Sequence, residues 1–236
     1  PLPAVVSEER QGSADARKPE RPGKVDLDEL ARTHPATNIA EALTELPGVV
    51  ARQRYNEAQD TQIQIRGFGA RSAFGARGLR IEYDGIPATA ADGQGQTGHL
   101  DLAAGGQMTL IRGPFAALYG NGEGYLRVDG NRSRRRDADR ISSAFGSNGQ
   151  RRLGFDLDGG ERLSFGLSGN RYQTDGARAR SAAERTLASA RMDWEVSDNG
   201  ALSLTAHYQD QPDSEDPQGL TRAEFESDPS AANPTA

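Results

Sequence analysis

The sequence predicts a small α/β domain followed by an antiparallel β-sheet. Two patterns support this fold class. Between residues 38 and 120, apolar residues at helical spacing and short strand-like runs are separated by Gly and Pro turn signals. From about residue 140, apolar and polar residues alternate, which is typical of strands that bury one face. The chain therefore divides into two parts with different architectures.

Composition and charge exclude several classes of protein. The chain has 236 residues and no run approaching the roughly 20 apolar residues that a membrane-spanning helix needs. A helical membrane protein is excluded, whereas transmembrane β-strands, with about 9–11 alternating residues each, are not. The absence of Cys removes disulfides and thiolate sites, and the formal net charge of -6 is unlike that of a nucleic-acid-binding domain.

The first part should contain a helix, three strands and a second, short helix. The first helix is expected to begin at Asn38, which has capping-box spacing to Glu41, and to end at Pro47 after about three turns. The second helix is expected at residues 114–120, with proline first and glycine last. Strands are predicted at residues 62–66, 79–83 and 107–112.

The second part contains five alternating segments, and turn signals separate them. The segments are residues 141–146, 150–158, 162–174, 186–196 and 201–211. The last two form a predicted hairpin with one apolar face, turned by residues 198–200. A soluble sandwich with one face in a core and a membrane barrel fit this pattern equally well.

Three segments in the first part carry a resemblance to a known family. Residues 63–69 read IQIRGFG, residues 78–87 read GLRIEYDGIP, and residues 111–121 read IRGPFAALYGN. In this order they closely resemble the plug of TonB-dependent outer-membrane receptors. Residues 45–49 and 216–222 fit the same family, so the resemblance covers most of residues 25–222. Several motifs in order are far more specific than a single short pattern.

The resemblance implies an α/β plug domain followed by the first strands of a transmembrane β-barrel, which in this family has 22 strands around the plug. Residues 1–24 would be a flexible tail, residues 25–137 the plug, and residues 138–236 barrel strands. The function implied is active transport, not catalysis, and no cofactor is expected. One departure, GEGYL after Asn121 in place of the family's glycine pair, leaves the packing of the last plug strand open.

Four side chains are candidate site residues. In similar receptors the loop at residues 88–96 helps to line the ligand pocket, and Gln94 and Gln96 match glutamines of citrate-type receptors; an amide can donate to an anionic chelate. Arg66 and Arg112 are expected to meet carboxylates of the barrel wall, since an unpaired cation in a confined space is costly, and Arg66 is also a ligand-binding candidate. The alternative for the glutamines is an ordinary polar loop with no ligand. The alternative for the two arginines is a position on the surface beside a turn.

The tail supplies a candidate partner site. Its apolar start resembles the box by which this family contacts TonB, and an extended segment can add a strand to a partner's sheet. The residues are Leu2, Pro3, Ala4, Val5 and Val6. TonB, with its inner-membrane energy complex, is thus one expected partner. The others are outer-membrane lipid and a small ligand such as a ferric siderophore or ferric-citrate-like chelate, but no nucleic acid.

The sequence supports the alternatives to transport unequally. A soluble periplasmic or secreted ligand-binding module stays open, whereas a signalling receptor would need a folded domain for which 24 tail residues leave no room. Residues 93–98 match a dinucleotide-binding glycine pattern without its strand and helix, and the three His have no metal-ligand spacing. Five strands are an odd number for a barrel, so the chain is expected to be a fragment of a longer receptor.

Overall fold

The computed structural model describes residues 22–70, 72, 75–120, 123–130, 139–197 and 200–236. These residues form an α/β domain, up to residue 130, and a five-stranded antiparallel sheet, from residue 140, that packs against it. We call this second sheet the wall sheet. The two-part architecture predicted from the sequence is confirmed.

A mixed five-stranded sheet lies at the centre of the α/β domain. The strands of the domain are β1 (Gly23–Asp26), β2 (Val49–Arg52), β3 (Gln62–Ile65), β4 (Ala76–Arg77), β5 (Leu79–Tyr83), β6 (Ile86–Pro87), β7 (Gln94–Gly95), β8 (Gln107–Arg112) and β9 (Gly124–Asp129). The central sheet has the order β1-β8-β9-β5-β6, in which β5 and β9 are parallel. The pairs β2-β3 and β4-β7 form two small sheets.

Short helices cover the central sheet. They are α1 (Leu27–Thr33), α2 (Ile39–Leu43) and two 3-10 helices, Leu102–Ala104 and Gly113–Tyr119. A further helix, α3 (Arg222–Ser227), lies in the segment after the last strand and has no buried residue. Leu30 of α1 and Leu43 of α2 are buried with Ile81 and Leu126 of the sheet, which makes one apolar core. No helix among the described residues has both the length and the apolar character needed to cross a membrane.

Helix α2 begins where the sequence predicts but is shorter than expected. Asn38 Oδ1 accepts from the backbone N–H of Ala40 at 2.8 Å, and Glu41 Oε1 accepts from the N–H of Asn38 at 3.0 Å, which is a capping box. The expected length of three turns is wrong, because the regular helix has five residues. Tighter turns follow it up to Gly48, whose φ of 76° favours glycine.

The predicted strands of this domain are confirmed as β3, β5 and β8, whereas the other six strands among its described residues were not predicted; two of these, β1 and β9, flank β8 in the central sheet. β1 pairs with β8 along four residues, so the expected tail boundary at residue 24 lies inside a strand. β9 lies between β8 and β5 despite the sequence departure after Asn121. The short helix predicted at residues 114–120 is present as a 3-10 helix that ends at Gly120, with φ 85°.

The wall sheet is a meander in which each strand pairs with the next. Its strands are β10 (Arg140–Phe145), β11 (Arg151–Gly159), β12 (Leu163–Thr174), β13 (Ala183–Ser197) and β14 (Gly200–Ser214). All five predicted segments are confirmed. β13 and β14 are longer than predicted, since pairing continues through irregularities between Glu184 and Thr186 and between Glu195 and Ser197. We call the end with residues 175–182 the loop end and the end with residues 160–162 the turn end.

Candidate functional site

The wall sheet turns its polar face toward the α/β domain and its apolar face outward. Arg152, Asp156, Ser168 and Arg185 point inward and are at most 8% exposed. The outward face carries large apolar side chains that are 36% to 90% exposed, namely Ile141, Leu153, Phe155, Leu157, Leu163, Phe165, Leu167, Trp194, Leu202, Leu204 and Tyr208. A soluble sandwich buries its apolar face, so this arrangement is the reverse of a sandwich.

Arg140 ties the first wall strand to the α/β domain. Its guanidinium donates to Asp156 Oδ2 at 2.9 Å and to the carbonyl of Ala103 at 2.6 Å, and it lies 3.7 Å from Asp28 Oδ1. The Asp156 side chain is 5% exposed. Removing one partner of a buried ion pair leaves an uncompensated charge, which is costly. This cluster therefore fixes the position of the wall sheet on the domain.

Asp101 is a buried carboxyl group of the α/β domain at the same interface. Its Oδ1 accepts from the N–H of Ala104 at 3.1 Å, and its Oδ2 lies 3.5 Å from Ser168 Oγ of β12. Burial raises the pKa of Asp101 to about 6, and the neighbouring Asp156 adds to the rise, whereas Arg152 opposes it. The Asp101 carboxyl group therefore changes its charge near pH 6, within the pH range of natural environments.

We expect Asp101→Asn to stabilise the domain at pH 8 and to have little effect at pH 4. The folded state binds the proton of Asp101 more tightly than the unfolded state, so the wild type gains stability as pH falls toward the unfolded pKa and loses it as pH rises through about 6. The upper bound at neutral pH is about 3 kcal/mol. Guanidinium unfolding of both proteins at several pH values measures the difference, and a difference that does not change with pH would contradict this assignment.

A polar pocket opens between the α/β domain and strands β13 and β14, near the loop end. Its volume is about 170 Å³, and glutamines from both sides line it, Gln59 and Gln96 from the domain and Gln209 and Gln211 from β14. Each amide offers a donor and an acceptor without net charge. The pocket is therefore suited to a ligand with many polar oxygens.

Arg185 supplies a cation at the wall of this pocket. It donates from Nη2 to the carbonyl of Thr37 at 2.6 Å, and its guanidinium carbon lies 5.8 Å from the centroid of the Tyr172 ring. Glu57 also lines the pocket, and burial raises the pKa of its carboxyl while Arg185 opposes the rise. Since two contacts hold Arg185 in place, its charge is presented in a fixed position.

The structure brings Gln96 to the pocket and places Gln94 elsewhere. Gln96 is exposed and lines the pocket. Gln94 lies in β7 opposite Arg77 and is not among the described residues that line the pocket. A tight turn at Gly93, with φ 82°, precedes it. Residues 93–98 thus form a short strand and a loop, not a strand-to-helix turn of the dinucleotide-binding kind.

Three of the motif segments meet at Gly48. Arg66 follows β3 with φ 51°, and its backbone N–H donates to the carbonyl of Gly48 at 2.9 Å. Arg112 ends β8 and donates from Nη1 to the carbonyl of Pro47. Among the described residues, neither arginine lines the polar pocket. Both organise one corner of the domain, and their pairing with barrel carboxylates and the ligand role of Arg66 stay predictions.

The loop after β14 is attached to the α/β domain. Asp216 accepts from Nδ2 of Asn56 at 2.7 Å and from Nε2 of Gln59 at 3.0 Å, and the hydrogen bond from Gln59 is the main cause that holds the pKa of Asp216 below its ordinary value. Arg178 donates to the carbonyls of Gln218 and Ala231 at 2.8 Å each. The motif at residues 216–222 thus closes the loop end over the domain.

The candidate partner segment lies outside the described residues. It comprises Leu2, Pro3, Ala4, Val5 and Val6, and the description of the structure begins at residue 22. Its contact with TonB stays a prediction.

Comparisons with known proteins identify the α/β domain. Residues 19–124 match the family model of the TonB-dependent receptor plug domain. The structure is similar to the ferric enterobactin receptor PfeA of Pseudomonas aeruginosa, with a TM-score of 0.65 and 19% identity over 83% of this chain and 34% of that one. It is also similar to the copper transporter OprC, with a TM-score of 0.62 and 21% identity over 80% and 30% of the two chains.

A third similar structure is the siderophore receptor PirA of Acinetobacter baumannii, with a TM-score of 0.61 and 18% identity over 82% of this chain and 32% of that one. Because these sequence identities are low, the similarity shows a shared fold and nothing more. The chain spans about a third of the length of the three receptors. Residues 19–124 therefore match the plug domain of TonB-dependent receptors, and the antiparallel strands that follow have the fold of the corresponding barrel strands.

Proposed function

We propose that this chain is part of an outer-membrane receptor that imports a small ligand with energy delivered through TonB. The observation that carries the proposal is the polarity of the wall sheet, which is apolar outside and polar against the plug. In a membrane barrel the outward residues face lipid and the inward residues face a polar interior. The plug domain supports the link to TonB.

The outward face has the layout of a lipid-facing band. Strand register places Leu157 opposite Leu167, which in turn lies opposite Ala190, so an apolar row runs across the middle of the sheet. Trp194 lies nearer the turn end and Tyr208 nearer the loop end. Aromatic residues at both borders of an apolar band are typical of outer-membrane barrels. We infer that the lipid interior is centred on the row of Leu167.

The ligand we propose is a ferric siderophore or a ferric-citrate-like chelate. Two of the similar structures are receptors for ferric enterobactin and for a siderophore, and one is a copper transporter. The polar pocket supports a metal chelate with anionic oxygens, because Gln96 can donate to such oxygens and Arg185 supplies a positive charge. Cellular uptake of labelled iron chelates, compared with and without the gene, tests the proposal, and uptake that does not depend on the gene would refute it.

Gln96→Ala is expected to weaken chelate binding by about 1–3 kcal/mol, roughly a 5- to 150-fold rise in Kd, because a desolvated ligand atom loses its partner. Isothermal titration of the purified receptor, with whichever of ferric citrate or a ferric siderophore binds the wild type, measures the change. Gln94→Ala tests the second candidate separately. Gln107→Ala, in β8 of the plug, is the matched control. An unchanged Kd for both candidate variants would make residues 88–96 an ordinary polar loop.

A further inference from the structure

The plug contacts the wall sheet near Tyr83, away from the polar pocket. Tyr83 ends β5, and Asp84 follows it in the turn to β6 with φ 50°, a conformation that is uncommon for residues other than glycine. The backbone N–H of Asp84 donates to Val128 at 2.9 Å, and Asp84 Oδ1 accepts from the N–H of Gly130 at 2.8 Å. The plug thus holds one carboxylate oxygen and leaves Oδ2 directed at the wall.

On the wall, Ser189 of β13 and His207 of β14 lie directly opposite each other. Ser189 Oγ is 2.9 Å from His207 Nδ1 and 3.4 Å from the hydroxyl of Tyr83. His207 Nε2 is buried, lies 3.4 Å from Asp84 Oδ2 and makes no well-aligned hydrogen bond to any described residue. The rings of Tyr83 and His207 are stacked, with centroids 4.2 Å apart and planes 21° apart. Two consecutive plug residues therefore meet a cross-strand pair of the wall in a closed ring of contacts.

The donors and acceptors of this ring can be ordered in one direction. An ionised Asp84 only accepts, so Nε2 of His207 must carry a proton to make the contact favourable. In the neutral imidazole Nδ1 then accepts, which requires the Ser189 hydroxyl to donate to it. The oxygen of Ser189 is left to accept from the Tyr83 hydroxyl. The relay runs Tyr83 to Ser189 to His207 to Asp84.

A small, partly open space with polar lining lies beside the relay. Its volume is about 30 Å³, and Asp84, Ser189, Arg191, Thr205 and His207 are among the residues that line it. This volume is large enough for a water molecule with several polar partners. A water bound there would link Nε2 to the carboxylate by two hydrogen bonds without changing the direction of the relay.

We propose that Ser189 and His207 form a holding site on the barrel wall for the Tyr83–Asp84 turn, with His207 neutral and protonated on Nε2. They are positioning residues for the plug and do not touch the transported ligand. The site holds the plug through the hydrogen bond between Tyr83 and Ser189, the approach of His207 Nε2 to Asp84 and one stacked ring pair. Plug displacement must break it, so the site sets part of the barrier to opening.

The first test identifies the His207 tautomer. Nitrogen NMR of the complete receptor in detergent, labelled with 15N-histidine at neutral pH, is expected to show Nε2 with a bound proton and Nδ1 without one. His207→Gln assigns the signals by removing them. A ring protonated on Nδ1 alone would overturn the proposal, since two acceptors would then face each other at Asp84.

The second test measures how strongly the wall sheet restrains the Tyr83–Asp84 turn. Hydrogen exchange with mass spectrometry should give about tenfold faster exchange across residues 80–88 in His207→Leu, with a smaller increase in His207→Gln, which keeps a donor for Asp84. Residues 107–112 of the same plug are the internal control, and Thr205→Ala, which lines the space outside the relay, is the matched variant. Unchanged exchange across residues 80–88 in both His207 variants would overturn the proposal, and Asp84→Asn repeats the test from the plug side if a wall variant fails to fold.

Discussion

Leu167→Arg is expected to destabilise the folded, membrane-inserted barrel by about 2–4 kcal/mol, the range for a basic residue on the lipid face at the bilayer midplane. Leu167 is exposed, in the middle row of the outward apolar face between Leu157 and Ala190. A guanidinium placed there loses its hydration and gains no partner from lipid. Reversible urea unfolding of the receptor in lipid vesicles measures the loss.

The matched control is Leu163→Arg, on the same face and strand but at the turn end, opposite Trp194. Near the interface the cost falls to about 0–1 kcal/mol, because the long side chain reaches water. The difference between the two variants reports depth in the membrane. Equal and small effects would mean that the outward face meets water or protein, and a receptor fully soluble without detergent would favour the ligand-binding module.

Deletion of residues 2–6 is expected to abolish uptake while ligand binding is unchanged. The proposed box lies in the N-terminal tail, whereas the polar pocket is lined by residues between Thr37 and Gln211. If an extended segment adds a strand to TonB, its loss removes energy delivery and leaves the pocket intact. Uptake of a labelled chelate by energised cells, together with binding to de-energised cells, separates the two steps.

A deletion of the same length at residues 11–15 of the tail controls for tail length. It should leave both binding and uptake close to those of the wild type. Loss of binding together with uptake in the first deletion would show that residues 2–6 support the fold, and retained uptake would place the TonB contact elsewhere.

Strand positions could be predicted from the sequence, but the environment of the strands could not. In β12, Leu163, Phe165 and Leu167 alternate with small polar residues, which is enough to predict a strand with one apolar face. The same alternation fits a sandwich and a barrel, since it does not say which face meets the plug. The order of the motif segments supplied that information, and the structure confirms the fold by placing the polar face inward.

Helix length was harder to predict than helix position. The capping pair of Asn38 and Glu41 is local, so its spacing in the sequence predicted the start of α2 correctly. The end depends on how the chain packs against the sheet, where tight turns replace the last helical turns. β1 was missed for a related reason, because its pairing partner β8 lies about 80 residues further along the chain.

Site residues were predicted only where a motif marked them. Gln96 came from a family motif, and the structure places it in a pocket. Asp101 and His207 were missed, since their partners Ser168 and Asp84 are far away in sequence. One signal was present, because His207 falls on the polar face of an alternating strand, where a side chain is expected to point into the barrel.

The polar inner face of the wall determines how a plug can move along it. Separating an apolar interface costs about 25 cal/mol for each Å² exposed. Charged side chains such as Arg152, Asp156 and Arg185 exchange their partners for water instead, and each hydrogen bond to a charged group contributes about 1.5–3 kcal/mol net. If the plug is displaced, the charged and polar groups of this face can each exchange a plug partner for water. A passage that opens beside the plug would be wetted as it forms.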